Sequence, residues 1–87
     1  MIVSVRSSFV KDTRKLNPTF RSELLSVIKK LEATGNLADF PNSKKLSGYK
    51  TAYRIRLHNY RIGFFYLNNS IELVRILDRK EVYRYFP

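Results

Sequence analysis

Residues 53–64, YRIRLHNYRIGF, constrain the fold of this chain more than any other stretch. Apolar and basic side chains alternate on either side of the polar pair His58 and Asn59, which is the pattern of a half-buried β-hairpin. A two-residue turn at this pair predicts the cross-strand pairs Leu57–Tyr60, Arg56–Arg61, Ile55–Ile62 and Tyr53–Phe64. Each apolar residue then faces another apolar residue, so the register is self-consistent.

The same register collects three arginines, Arg54, Arg56 and Arg61, on the other face of the hairpin. Like charges on opposite strands destabilise a sheet, and the chain has no carboxylate between Asp39 and Glu72 to offset them. We therefore expect this face to meet an anion, and a phosphate backbone is the obvious candidate.

The net charge of +10 is concentrated in the second half of the chain, which also contains all six tyrosines. Clustered charge among aromatic residues suits nucleic acid, although a basic surface can also be merely solvated. The basic side chains predicted to bind RNA are Lys44, Lys45, Lys50 and Arg84.

A chain of 87 residues predicts a single domain, residues 1–87, with one core. Cysteine is absent, so neither disulfides nor thiolate metal sites are expected. No apolar run is long enough to span a membrane, and the first residues are too short and too charged for a signal peptide. These features predict a cytoplasmic protein without a membrane partner.

The predicted fold is α+β, with the element order β-α-α-β-β-β. A strand over residues 2–6 precedes a helix capped by Ser7 or Ser8, with Phe9, Val10, Thr13 and Leu16 on its inner side. Asn17 and Pro18 predict the start of a second helix, which Gly35 and Asn36 end. The two helices form a hairpin on one face of a mainly antiparallel four-stranded sheet, whose last strands cover residues 51–57, 60–67 and 71–77. A short helical tail follows.

Most catalytic chemistries lack the residues that they need in this sequence. One histidine, scattered carboxylates and three isolated glycines predict no metal site, no phosphate-cradling loop and no cofactor. Guanidinium and phenol groups remain. They suit RNA cleavage, because RNA carries its own nucleophile, the 2′-hydroxyl, and arginines stabilise the charge that develops on the phosphate.

Four short motifs together resemble the RelE/ParE toxin superfamily: Lys-Leu-Ser-Gly at 45–48, Tyr-Arg-Ile-Arg-Leu at 53–57, Asn-Tyr-Arg at 59–61, and Asp-Arg-Lys-Glu-Val-Tyr-Arg at 78–84. The resemblance covers nearly the whole chain and implies a toxin of a type II toxin–antitoxin system. Its RelE-like branch implies a metal-free endoribonuclease that cuts mRNA in the ribosomal A site and leaves a 2′,3′-cyclic phosphate. The implied partners are the ribosome, mRNA and a cognate antitoxin, expected to be an acidic or amphipathic segment.

The resemblance also implies roles for five residues. Arg54 and Arg56 act on the scissile phosphate and the nucleophile, Arg61 stabilises the transition state, Arg79 assists the leaving group, and Tyr83 stacks on a base. RelE has lysines at the first two positions, and arginine is a poor general base because it stays protonated. Many relatives carry histidine where this chain has Asp78, whose carboxylate we expect to pair with Arg79.

Two other functions share this pattern: a ParE-like inhibitor of DNA gyrase, and a degenerate member that only binds RNA or its antitoxin. The presence of Arg79 and Tyr83 favours the ribonuclease. Tyr83 could instead pack the tail against the sheet, and His58 is expected to be a turn residue rather than a proton donor.

Overall fold

The computed structural model describes all 87 residues and has the predicted element order with one strand added. The elements are β1 (Ile2–Val5), α1 (Ser7–Thr13), α2 (Pro18–Ala33), a 3₁₀ turn (Leu37–Asp39), β2 (Ser43–Lys45), β3 (Ala52–Leu57), β4 (Tyr60–Leu67), β5 (Ser70–Asp78) and α3 (Val82–Tyr85). The α+β class and the short helical tail are confirmed.

The hairpin of β3 and β4 has the register that the alternation predicts. Leu57 pairs with Tyr60, Arg56 with Arg61, Ile55 with Ile62 and Tyr53 with Phe64. His58 has a φ of 54°, the left-handed conformation that a two-residue hairpin turn requires. Ile55, Ile62 and Phe64 are buried against the helices, as the pattern predicts.

The sheet has five strands in the order β1-β5-β4-β3-β2, rather than four. The additional strand is β2, which is three residues long and pairs antiparallel with β3. The sequence predicts no strand between the second helix and β3. β1 pairs parallel with β5, and the other neighbours are antiparallel, so the sheet is mixed.

The two helices cover one face of this sheet. Asn17 caps α2 as predicted, because its Oδ1 accepts a hydrogen bond from the Phe20 N–H at 2.8 Å. α1 differs from the prediction: its N-cap is Arg6, no side chain caps it, and Val10 is exposed. Leu24 and Leu31 of α2 reach the core, whereas Leu25 is exposed.

α1 also completes the hydrogen bonding of β5 beyond the end of β1. The Ser8 hydroxyl donates to the Val74 carbonyl at 2.6 Å, and the Asp12 carboxylate accepts from the Ile76 N–H at 3.0 Å. Polar side chains of a helix therefore replace a neighbouring strand, which leaves no unpaired edge there.

Residues 79–87, here called the tail, pack on the face of the sheet opposite the helices. Val82 and Phe86 are buried there with Ala52 and Val74, and these four residues are called the tail cluster. The Phe86 ring lies on Gly63, where a Cβ atom would come within 2.5 Å of the ring. No helix of the chain is long and apolar enough to cross a membrane.

Candidate functional site

The predicted arginines share one face of the sheet, the face that the helices leave open. Arg56 and Arg61 are direct cross-strand partners, and Arg54 lies two positions before Arg56 on β3, opposite Gly63. We call these three positions the arginine face. Lys44 of β2 is the cross-strand partner of Arg54 and extends the face toward the sheet edge.

Backbone carbonyls, rather than carboxylates, hold two of the three arginines of this face. Arg54 Nη1 donates to the Asn42 carbonyl at 2.9 Å. Arg61 Nη1 donates to the carbonyls of His58 at 3.0 Å and Tyr60 at 2.9 Å. No carboxylate oxygen lies within 4.0 Å of Arg54, Arg56 or Arg61. Arg54 and Arg61 are therefore oriented by carbonyls, and no carboxylate neutralises any of the three charges.

The tail starts beside the hairpin turn. The Arg79 N–H donates to the Asn59 carbonyl at 2.8 Å, and the preceding Asp78 pairs with Tyr60 of β4. Arg79, the first residue of the tail, therefore lies close to Tyr60, the residue before Arg61. Tyr83 lies on α3 with 55% of its surface exposed, and Arg84 is exposed beside it.

The ion pair expected between Asp78 and Arg79 does not form. The Asp78 carboxylate instead accepts the Lys80 N–H at 2.9 Å, as a side chain does in a turn. Arg79 consequently has no carboxylate partner, like the three arginines of the arginine face.

Two of the predicted RNA-binding lysines lie elsewhere. Lys45 pairs with Tyr53, whose ring packs against the helix-side core, so the register places Lys45 on the helix side of the sheet. Lys50 is exposed in the connection between β2 and β3. Of the predicted lysines, the structure brings only Lys44 onto the arginine face.

His58 lies on the side of the turn that faces α2. Its Nε2 is 2.7 Å from Glu23 Oε1, and its ring centroid is 6.0 Å from that of Phe20. This placement agrees with the expectation of a turn residue.

The sequence does not predict one polar cluster near the tail. Asp12, only 4% exposed, accepts from Arg75 Nε at 2.8 Å and Nη2 at 3.0 Å, and the other side of Arg75 lies 5.2 Å from the ring centroid of Tyr85. The hydrogen bonds from Arg75 to Asp12 raise the pKa of Arg75 above its usual value, against the opposing effect of burial. No local sequence pattern predicts this pair, because its members lie 63 positions apart in the chain.

Most of the arginine face is open rather than concave. None of the five surface cavities is lined by Arg54, Arg61, Arg79 or Tyr83, and Arg56 lines one of them, a cavity beside α2. No three histidine, aspartate or glutamate side chains come together in a way that could hold a metal ion. Guanidinium groups can bind a polyanion and stabilise charge on a phosphate, and an exposed tyrosine can stack on a base.

Comparisons with known proteins identify the family of this chain. Residues 3–83 match the family model of the ParE toxin of the type II toxin–antitoxin system parDE. Toxin RelE3 of Methanocaldococcus jannaschii is 36% identical over 88 residues, which covers the whole of both chains.

Solved structures of toxin complexes share the fold. The toxin of the RelB–RelE antitoxin–toxin complex from Methanococcus jannaschii superposes with a TM-score of 0.81 and 33% identity, over 97% of this chain and 99% of that one. The intact E. coli RelBE complex gives a TM-score of 0.69 at 20% identity, over 88% and 94%, which supports the fold alone. The family model and the full-length relative together show that this chain belongs to the RelE/ParE family of toxins of type II toxin–antitoxin systems.

Proposed function

We propose that this toxin is an endoribonuclease that cuts mRNA on the ribosome. In the proposed reaction the 2′-oxygen of one nucleotide attacks the adjacent phosphorus. The bond to the 5′-oxygen of the next nucleotide breaks, leaving a 2′,3′-cyclic phosphate and a 5′-hydroxyl. The observation that carries the proposal is the arginine face, whose three guanidinium groups have no carboxylate partner.

These arginines suit the charge changes of that reaction. The phosphoryl oxygens gain negative charge as the 2′-oxygen attacks, and cations held in place beforehand stabilise such a transition state most effectively. Arg61 is held by two carbonyls of its own hairpin, so we assign it to the transition state. Arg54 and Arg56, on the facing strand, are assigned to the scissile phosphate and the nucleophile.

The tail supplies the remaining two roles. Arg79, which starts the tail beside the hairpin turn, is assigned to the leaving 5′-oxygen. Tyr83 is more than half exposed, so its ring is free to stack on a base. Arginine stays protonated at neutral pH, so we assign none of these four arginines as the general base.

The open shape of the site favours a substrate that a larger partner holds. No surface cavity brings the three arginines together, since only Arg56 lines one, so the chain by itself offers little to align a flexible RNA. Alignment is worth several kcal/mol in such reactions. A ribosome that holds the message would supply it.

The proposed protein partner is an antitoxin with acidic or amphipathic segments. The net charge of +10 favours an acidic ligand. The Methanococcus jannaschii and E. coli relatives were both solved as complexes with RelB antitoxins. Co-purification from the native host tests this assignment, and a toxin that emerges without any partner contradicts it.

The test of the nuclease is 3′-end mapping of a message held on ribosomes with an open A site. We expect cuts at the A-site codon with the wild type, and a loss of about 10²–10³-fold in cleavage rate with Arg61→Ala. Arg14→Ala is the matched control, because it removes the same charge from an exposed position next to α1.

Two results would contradict the proposal. Equal loss in both variants would mean that total charge, rather than the arginine face, governs cleavage. A folded wild type that arrests growth without cutting would shift the assignment to gyrase inhibition, which a supercoiling assay would then detect.

A further inference from the structure

The tail has few attachments to the rest of the molecule, although it carries Tyr83. Its backbone hydrogen bonds from Glu81 onward run within the tail or to the end of β5: Glu81 to Asp78, Arg84 to Glu81 and Phe86 to Val82. The one ion pair of the tail, between Arg84 and Glu81, is also internal. The position of the tail on the sheet therefore depends on side-chain packing.

Val82 of the tail cluster is completely buried, and two more side chains add to the packing at the C-terminal end. Phe86 sits in the gap above Gly63, between the positions of Arg54 and Arg75 in the same cross-strand row. Tyr85, next to it, lies on the guanidinium of Arg75. The second contact joins the C-terminal end of the tail to a charged side chain of the sheet.

Asp12 fixes Arg75 for this contact. Its carboxylate accepts two parallel hydrogen bonds from the guanidinium, and a fork of this kind sets the plane as well as the position of the group. The same carboxylate accepts the Ile76 N–H, so α1, β5 and the guanidinium are held together. A continuous chain of contacts thus runs from α1 through Arg75 to the ring of Tyr85.

We propose that Asp12 is a positioning residue for the proposed RNA cleavage: through Arg75 and Tyr85 it holds the tail, which carries Tyr83, on the face of the sheet that carries the arginine face. Asp12 is buried and on the far side of β5 from the hairpin, so it does not meet the RNA. The role in cleavage rests on the proposed function, whereas the anchoring of the tail does not.

Hydrogen exchange followed by NMR tests the anchoring without any cleavage assay. In Tyr85→Leu and Asp12→Asn we expect the Arg84 and Phe86 amides to exchange at least about tenfold faster, with smaller changes in core amides of β3 and β4. Tyr85→Phe keeps the ring over Arg75 and should exchange like the wild type. Ser8→Ala is the control for Asp12→Asn, because it removes an α1–β5 hydrogen bond that does not touch Arg75.

Single-turnover cleavage on ribosomes tests the consequence. Tyr85→Leu and Asp12→Asn should slow the cleavage step by about 10-fold to 100-fold, while the toxin concentration at half-saturation changes little. Tyr85→Phe and Ser8→Ala should cut like the wild type.

The outcomes separate the two proposals. Tail amides that keep their protection in Tyr85→Leu and Asp12→Asn would overturn the anchoring. A freed tail with wild-type cleavage would overturn the positioning role and leave the nuclease intact. A wild type that never cuts would overturn the proposed function and the role of Asp12 in it, and the exchange rates would still decide the anchoring.

Discussion

Replacing Gly63 by alanine tests how the tail docks on the sheet. An added Cβ would come within 2.5 Å of Phe86 Cγ and Cδ2, both in the rigid ring, so the ring has to leave its place. Phe86 is 2% exposed, and burial of such a side chain is worth about 1.5–3 kcal/mol. Alanine is better than glycine in a strand by about 0.5–1 kcal/mol, which offsets part of the loss. We expect Gly63→Ala to lower the free energy of unfolding by about 1–2 kcal/mol.

A double-mutant cycle with Phe86→Ala isolates the cause. The three atoms nearest to the added Cβ all belong to this ring, so in the Phe86→Ala background Gly63→Ala should stabilise the protein by about 0.5 kcal/mol. The free energies come from urea unfolding followed by circular dichroism. The change of sign distinguishes a clash with Phe86 from a general intolerance of side chains at this position. If Gly63→Ala destabilises both backgrounds equally, the docking of Phe86 on Gly63 is refuted.

The remaining predictions concern stability alone. Asn17→Ala removes the cap of α2 and should cost about 1 kcal/mol, or about 4–8 °C in Tm, in thermal unfolding; an unchanged Tm would contradict the cap. Glu23→Gln removes an exposed partner of His58 and should change the free energy of unfolding by less than about 0.5 kcal/mol in urea unfolding; a larger loss would mean that the pair is more than a surface contact. The pKa of Arg75 is raised in the folded state, so its contribution to stability is fully present below the unfolded pKa and is lost as pH rises through the folded pKa. The difference in unfolding free energy between wild type and Arg75→Met should accordingly stay constant between about pH 6 and 9, and an increase of this difference with rising pH would contradict the sign of the shift.

The hairpin and its arginines could be predicted from sequence because their pairing is local. A two-residue turn fixes the register of the hairpin, and in that register Ile55 faces Ile62. β2 was not predicted, since three residues are too few to show alternation. Asn17 followed by Pro18 is enough to predict a helix cap. Ser8 is also of a residue type that caps helices, but its hydroxyl donates a hydrogen bond to the Val74 carbonyl of β5 instead.

The contacts of the tail could not be predicted because they join residues distant in sequence. In the sequence, Gly63 is one glycine in a strand and Phe86 is one aromatic residue near the C-terminus, and neither by itself indicates a contact with the other. Only the fold shows that one makes room for the other. Asp12 likewise counts as one of seven acidic residues in the sequence, and its burial beside Arg75 depends on how α1 crosses β5.

The arginines of the sheet divide according to what accepts their hydrogen bonds. Arg75 donates to a buried carboxylate, so its charge is already matched and it serves to join α1 to the tail. Arg54 and Arg61 donate to backbone carbonyls, which orient a guanidinium without cancelling its charge. A cation that has no counter-ion in the free protein attracts an anion more strongly than one already paired. The same residue type therefore holds the fold together at one end of a cross-strand row and has no counter-ion at the other, as the proposed contact with a phosphate requires.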